Sequence, residues 1–266
     1  MATPLDHANE LRALFTKLSS ERQYLDFQPP ALVSHAKDYA SNPERLRKYA
    51  KQVISGRIMI LFAFSRMNTQ SLLQTYLFGV DATAPFPMLL AARSQLELLS
   101  VVADTARVIR DNSGEHSEKF AERVATVDEA LINATFGTRS PLLKDLMPKA
   151  ELSRLRKVTD EDIGVLTSRN VLTRLDRLSK SGTYAGCKEE YERLCEYVHP
   201  NWGMNMLHVV TSPTSTKLLR FSLASAEPFG RALTASAGVM SRAALGTLVE
   251  MEQVQSPFGM GTATRV

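Results

Sequence analysis

The sequence predicts an all-α protein, an antiparallel helical bundle that carries one small β-hairpin. Apolar residues recur at intervals of three and four over most of the 266-residue chain, as they do on the buried face of an amphipathic helix. Alternating and β-branched residues are confined to one stretch near 206–223, and no strand–helix–strand rhythm of a parallel sheet occurs. A composition of 44% hydrophobic and 23% charged residues is ordinary for a globular protein and excludes collagen-like and low-complexity classes.

Turn and capping residues divide the chain into helices. Asn42 followed by Pro43 is typical of a helix N-cap and first turn, and Pro200 disfavours helical geometry at His199. A short first helix is expected around 11–18. The core helices are predicted near 44–74, 87–110, 116–135, 162–180, 184–198 and 226–253, with loops at 78–80 and 84–87.

The length suits one large domain or two small ones. We predict an N-terminal helix and loop over 1–40, a single helical-bundle domain over 41–255 and a flexible tail over 256–266. The first residues lack the basic and apolar regions of a secretory signal, and the longest apolar run, 58–64, is far shorter than the roughly 20 residues that span a bilayer. Cys187 and Cys195 cannot build a disulfide framework. We therefore expect a cytoplasmic protein with no membrane partner.

Basic residues are concentrated in two stretches, although the net charge of +4 is mild. Residues 44–57 and 139–180 together carry a larger net positive charge than the whole chain, because the remaining residues are net negative. Arg outnumbers Lys in the sequence. Arginine makes planar bidentate contacts with phosphate groups, so a polyanionic partner such as RNA is permitted. A basic face that is merely solvated remains the alternative.

Several catalytic and cofactor-binding signatures are absent from the sequence. It contains no GxGxxG, Walker A, GxSxG, HExxH or CxxC pattern. Glu196 and His199 form one Glu-x-x-His pair, but a di-iron carboxylate site needs a second pair, which the sequence lacks. We expect neither a metal nor a cofactor.

The densest group of reactive side chains lies in the run YERLCEYVHPNWG at 191–203. His199 is expected at a helix C-terminus, where the helix dipole favours its protonated form. Arg193 precedes it by six residues, and Glu192 and Glu196 share its helix face. A histidine that exchanges protons near neutral pH and an arginine that stabilises phosphorane oxygens suit the cleavage of a phosphodiester. A helix-capping histidine beside a surface arginine is the plainer interpretation.

Arg193 and His199 fit the Arg-x(4–6)-His motif, and here the chain resembles the HEPN superfamily (higher eukaryotes and prokaryotes nucleotide-binding). The resemblance implies a four-helix up-and-down core and a homodimer in which two motifs form one composite site. It also implies a metal-independent endoribonuclease of toxin–antitoxin or phage-defence systems, with RNA or a nucleotide as ligand and an antitoxin as a possible protein partner. Some uncharacterised bacterial HEPN-like proteins are similar around 194–203, and an upstream helix like 92–97 packs nearby in them.

Arg93 and Glu97 are the remaining candidate site residues. They lie one turn apart on an otherwise apolar helix, and a charge on such a helix needs a partner. That partner is either the other member of the pair or Arg193 and His199 across the bundle. In the second case Arg93 and Glu97 would orient the catalytic pair as a second wall of the same site.

Three functional interpretations follow from the sequence. The first is a HEPN-like ribonuclease that uses Arg193, His199, Glu196, Arg93 and Glu97. The second is a non-catalytic module that binds RNA, a nucleotide or a protein, and it is favoured by the mild charge and by Leu194, where active family members often carry a polar residue. The third is a helical scaffold in which the motif caps a helix.

Overall fold

The structure, a computed structural model, describes residues 3–20, 41–113, 119–136, 170–199, 202–210, 220–221 and 226–254. Over these residues the protein is all-α, as predicted. The helices are α1 (Pro4–Ser20), α2 (Pro43–Tyr49), α3 (Ser55–Asp81), α4 (Pro85–Asn112), α5 (Phe120–Phe136), α6 (Val171–Lys180), α7 (Cys187–Val198), α8 (Trp202–Leu207) and α9 (Ala226–Glu252). A π-helical segment, Ala50–Ile54, joins α2 to α3.

Within the described residues, the predicted hairpin is represented by one pair of short strands. β1 (Val209–Val210) pairs antiparallel with β2 (Arg220–Phe221). The expectation of a strand beginning at 206 was wrong, because α8 includes that residue. The turn of the hairpin lies outside the described residues, as do the predicted loop before 41, the helical stretches 116–118 and 162–169, and the tail at 256–266.

The predicted loop at 78–80 is helical, and so is most of the one at 84–87. α3 continues to Asp81, and α4 begins at Pro85. A Cβ at Gly79 would lie 2.6 Å from Met88 Cγ and 3.0 Å from the Ala84 carbonyl oxygen. Gly79 is therefore a point of close approach inside a helix rather than a turn residue, and the turn is made by 82–84, where Thr83 has a φ of 50°.

The chain divides into two compact units, and within the described helices their boundaries fall in α3, α4, α6 and α9. Unit 1 comprises Met1–Tyr24, Arg66–Ser100 and Leu175–Leu248, and unit 2 comprises Leu25–Ser65, Val101–Arg174 and Val249–Val266. The single domain expected over 41–255 stays a prediction, and each unit is considered by itself below.

In unit 1, α1 lies antiparallel to the second half of α3. Gln70 near the middle of α3 donates to Ser19 Oγ at 3.2 Å, and Arg12 pairs with Asp81 at the end of α3. Buried Gln95 on α4 joins two further helices, since its side-chain nitrogen donates to Thr69 Oγ1 at 3.2 Å and to Thr247 Oγ1 at 3.1 Å. These contacts fix α4, which carries two of the candidate site residues, within a packed group of helices.

In unit 2, the π-helical segment sits between two residues that reach the same buried carboxylate. Tyr49 Oη, just before the segment, donates to Asp128 Oδ2 on α5 at 2.7 Å. Arg57, just after it, brings Nε to 2.8 Å from Asp128 Oδ1. The π-helical turn shifts the helix face and so allows both side chains to point at α5.

Two described helices, α4 and α9, are long and apolar enough to cross a membrane by length and composition. In each, 56% of the most apolar window is buried inside the protein. Burial of this extent is also typical of a core helix in a soluble protein.

Candidate functional site

α7 places the motif residues at one end of a short, well-anchored helix. Cys187, Tyr191 and Leu194 form its buried face, and Glu190 pairs with Arg242 of α9. The helix ends at Val198, and His199 has extended backbone angles of φ −90° and ψ 148°. This confirms the boundary that Pro200 predicted.

Arg193 and His199 are both exposed, as are Glu192 and Glu196. Arg193 lies two residues after buried Tyr191, and two residues turn a helix by about 200°, so its side chain leaves the face opposite to the buried one. Six residues separate Arg193 from His199, which corresponds to about 120° around the helix axis. In the part of the chain that the structure describes, no hydrogen bond or ion pair joins Arg193 to His199. Both side chains are thus accessible to a ligand or to a second copy of the chain.

Arg93 and Glu97 of α4 meet two residues of α7 that the sequence analysis did not select. Tyr191 Oη donates to Glu97 Oε1 at 2.7 Å and accepts from Arg93 Nη2 at 2.7 Å. Arg93 Nε donates to Cys195 Sγ at 3.1 Å. Arg93 and Glu97 are also an ion pair with a separation of 3.0 Å. We call these four residues, Arg93, Glu97, Tyr191 and Cys195, the α4–α7 clamp.

Burial and charge shift the pKa values within the clamp. Burial raises the pKa of Tyr191, and its hydrogen bond to the Glu97 carboxylate raises it further. Burial opposes the charge of Arg93, but the contacts with Cys195, Glu97 and Tyr191 outweigh it and raise the pKa of the guanidinium. The guanidinium carbon also lies 5.0 Å from the centre of the Tyr191 ring, a favourable cation–π distance. Tyr191 is therefore held as a neutral hydroxyl beside a permanent cation.

The structure brings some of the predicted site residues into contact and keeps others separate. Arg93 and Glu97 pair with each other, and within the described residues neither forms a hydrogen bond or ion pair with Arg193 or His199. The signal for Tyr191 and Cys195 was present in the sequence, since they show the same spacing of four as Arg93 and Glu97. This spacing alone does not mark a site, because neither residue type needs a charged partner.

The close approach of α8 to α7 depends on Gly203. A Cβ at this position would lie 2.5 Å from the carbonyl oxygen of Glu196 and 2.9 Å from its carbonyl carbon. Real Cβ atoms do not approach backbone so closely, so only glycine lets α8 pack against the end of α7 that carries His199. The glycine after the Trp in the 191–203 run is thus a packing residue.

Replacing Gly203 by alanine is expected to destabilise the protein by about 1–3 kcal/mol, because the backbone of α7 or α8 must move. Gly230→Ala is the matched control. Gly230 is exposed in α9 with open space around its Cα, so alanine there is expected to stabilise by about 0.5–1 kcal/mol through helix propensity. Urea unfolding of both variants measures the difference, and equal stabilities would contradict the close contact.

Two tyrosines are expected to ionise only at high pH. Burial raises the pKa of Tyr76 to about 12, and the pKa of Tyr191 also lies above the ordinary value. Because the folded pKa exceeds the unfolded one, the stability contributed by these neutral hydroxyls is present below pH of about 10 and is lost as the pH rises through the folded value. Phenolate absorbance during an alkaline titration measures this. Titration of all seven tyrosines near the ordinary value, in protein that is still folded, would contradict it.

The described residues contain no group of three or more His, Cys, Asp or Glu side chains placed to hold a metal ion. Comparisons with models of known protein families, with curated proteins and with solved structures found no match.

Proposed function

We propose that the protein is a HEPN-like, metal-independent endoribonuclease of a toxin or phage-defence type. The observation that carries the proposal is the exposure of both Arg193 and His199 on a helix whose other face is locked into the protein. Both side chains are therefore accessible to a phosphodiester.

The proposed reaction is a transesterification within the RNA. The 2′-hydroxyl attacks the adjacent phosphorus, the bond from phosphorus to the 5′-oxygen breaks, and the products are a 2′,3′-cyclic phosphate and a 5′-hydroxyl. His199 exchanges the protons, and Arg193 stabilises the charge that develops on the phosphorane oxygens. Glu196, three residues before His199, is exposed like the two motif residues and completes the proposed site.

A dimer would supply the second histidine that a single motif lacks. The reaction needs a base for the 2′-hydroxyl and an acid for the leaving oxygen, and one motif has a single histidine, His199, directly after α7. Two copies that bring their α7 helices together would provide a histidine for each role. We therefore propose a homodimer with RNA as substrate, held in check by a partner protein such as an antitoxin, and acting in the cytoplasm without metal, cofactor or membrane.

The test uses the full-length protein with a labelled mixed-sequence RNA in the presence of EDTA. The proposal predicts cleavage to products that end in a 2′,3′-cyclic phosphate. The same sequence made as DNA is expected to stay intact, because it lacks the attacking hydroxyl. Cleavage of both polymers, or products with a 5′-phosphate, would contradict the mechanism.

The second candidate is a module that binds RNA or a nucleotide without cleaving it. The observation in its favour is Leu194, whose exposure is 0%. The position after the arginine is thus part of the core and adds no polar group to the surface around Arg193. Retarded migration of the labelled RNA on a native gel, with no cleavage, would support this candidate over the enzyme.

A further inference from the structure

We propose that Tyr191 is a positioning residue: its hydroxyl, held between Arg93 and Glu97, fixes the rotation of α7 and so the directions in which Arg193 and His199 project. The part that concerns catalysis rests on the proposed function. The part that concerns the orientation of α7 does not, because it follows from the contacts of the clamp.

The clamp acts over two consecutive turns of α7. The Arg93 guanidinium reaches Tyr191 on one turn and Cys195 on the next, and Glu97 reaches Tyr191 from the following turn of α4. Rotation of α7 by a single residue position, about 100°, would break all three contacts together. Arg193 within α7 and His199 directly after it would turn with the helix.

The Tyr191 hydroxyl is the central atom of this arrangement. It donates to a carboxylate and accepts from a guanidinium, and hydrogen bonds to charged groups are shorter and stronger than neutral ones. Without it, Arg93 and Glu97 still satisfy each other across 3.0 Å. Removing the hydroxyl therefore weakens the hold on the rotation of α7 without leaving a buried charge unpaired, and the protein is expected to fold.

The reactivity of the two cysteines reports on how firmly α7 is held, and this measurement does not depend on catalytic activity. Cys195 is half-buried within the clamp. Cys187 is fully buried, and burial raises its pKa to about 11, so it is expected to stay unreactive near neutral pH. The rate at which a thiol reagent modifies the native protein thus measures how well the clamp protects Cys195.

The experiment compares wild type, Tyr191→Phe and Tyr76→Phe. Tyr76 is the matched control, because it is a buried tyrosine whose hydroxyl contacts Ser236, away from α7. In Tyr191→Phe, we expect kcat for RNA cleavage to fall about tenfold through misplacement of the reacting groups, with KM changed by less than about twofold. Modification of Cys195 is expected to accelerate several-fold. Tyr76→Phe is expected to match wild type in both measurements.

The outcomes separate the two proposals. Unchanged Cys195 modification in folded Tyr191→Phe overturns the positioning role. Accelerated modification with unchanged kcat also overturns it, since α7 would then move without affecting the site. A wild-type protein that does not cleave RNA overturns the proposed function alone, and the Cys195 rate still decides whether Tyr191 fixes α7. Should Tyr191→Phe fail to fold, Glu97→Gln weakens the acceptor of the same hydroxyl, leaves an oxygen facing Arg93 and is expected to change both measurements in the same directions.

Discussion

His199→Ala is expected to lower the rate of RNA cleavage by about 10²–10⁴-fold while RNA binding stays within about twofold of wild type. The imidazole is exposed at the end of α7, so its removal leaves no cavity and breaks no side-chain contact in the described structure. The lower cleavage rate would thus reflect impaired proton transfer and not impaired folding. Single-turnover cleavage and a filter-binding titration of the same RNA measure the two quantities.

Two further variants accompany His199→Ala. Arg193→Ala is expected to lose about 10²–10³-fold in rate, because it removes the cation that stabilises the phosphorane. Arg123→Ala on α5 is the matched control, since this partly exposed arginine lies outside the motif. A loss of rate in Arg123→Ala as large as that in Arg193→Ala would indicate that general positive charge, not the motif, is responsible.

Asp128→Ala is expected to produce the largest loss of stability, about 3–5 kcal/mol. Asp128 has 0% exposure and Arg57 has 1%, so the variant leaves a buried guanidinium without its carboxylate. Tyr49 loses its acceptor in the same step. The free energy of unfolding, measured by urea denaturation followed by circular dichroism, tests this expectation.

The control for Asp128→Ala is an exposed pair. Asp176 on α6 pairs with Lys180 and Lys188 at the surface, and Asp176→Ala is expected to leave stability unchanged within error. If both variants unfold at the same urea concentration as wild type, the Arg57–Asp128 pair is not the buried ion pair described above.

The fold class followed from periodicity because helical spacing persists through most of the chain. The boundaries at Asn42–Pro43 and at His199–Pro200 followed from residues with a single strong local preference. The end of α3 did not, because Gly79 looks like a turn residue until Met88 is seen against it. A glycine required by a neighbouring helix and a glycine required by a turn are identical in sequence.

The sequence singled out Arg93 and Glu97, and it did not predict their connections to α7. Charge on an apolar helix correctly marked Arg93 and Glu97 as residues in need of partners. Their connection to Tyr191 and Cys195 depends on which faces of α4 and α7 meet, and that is a property of tertiary packing.

The decisive measurement compares cleavage of a mixed-sequence labelled RNA in EDTA by wild type and by His199→Ala, purified side by side and shown to be folded by circular dichroism. Wild type is expected to cut the RNA, and the variant is not. Equal cleavage by both would place the activity elsewhere, and cleavage by neither would contradict the assignment of the protein as a ribonuclease.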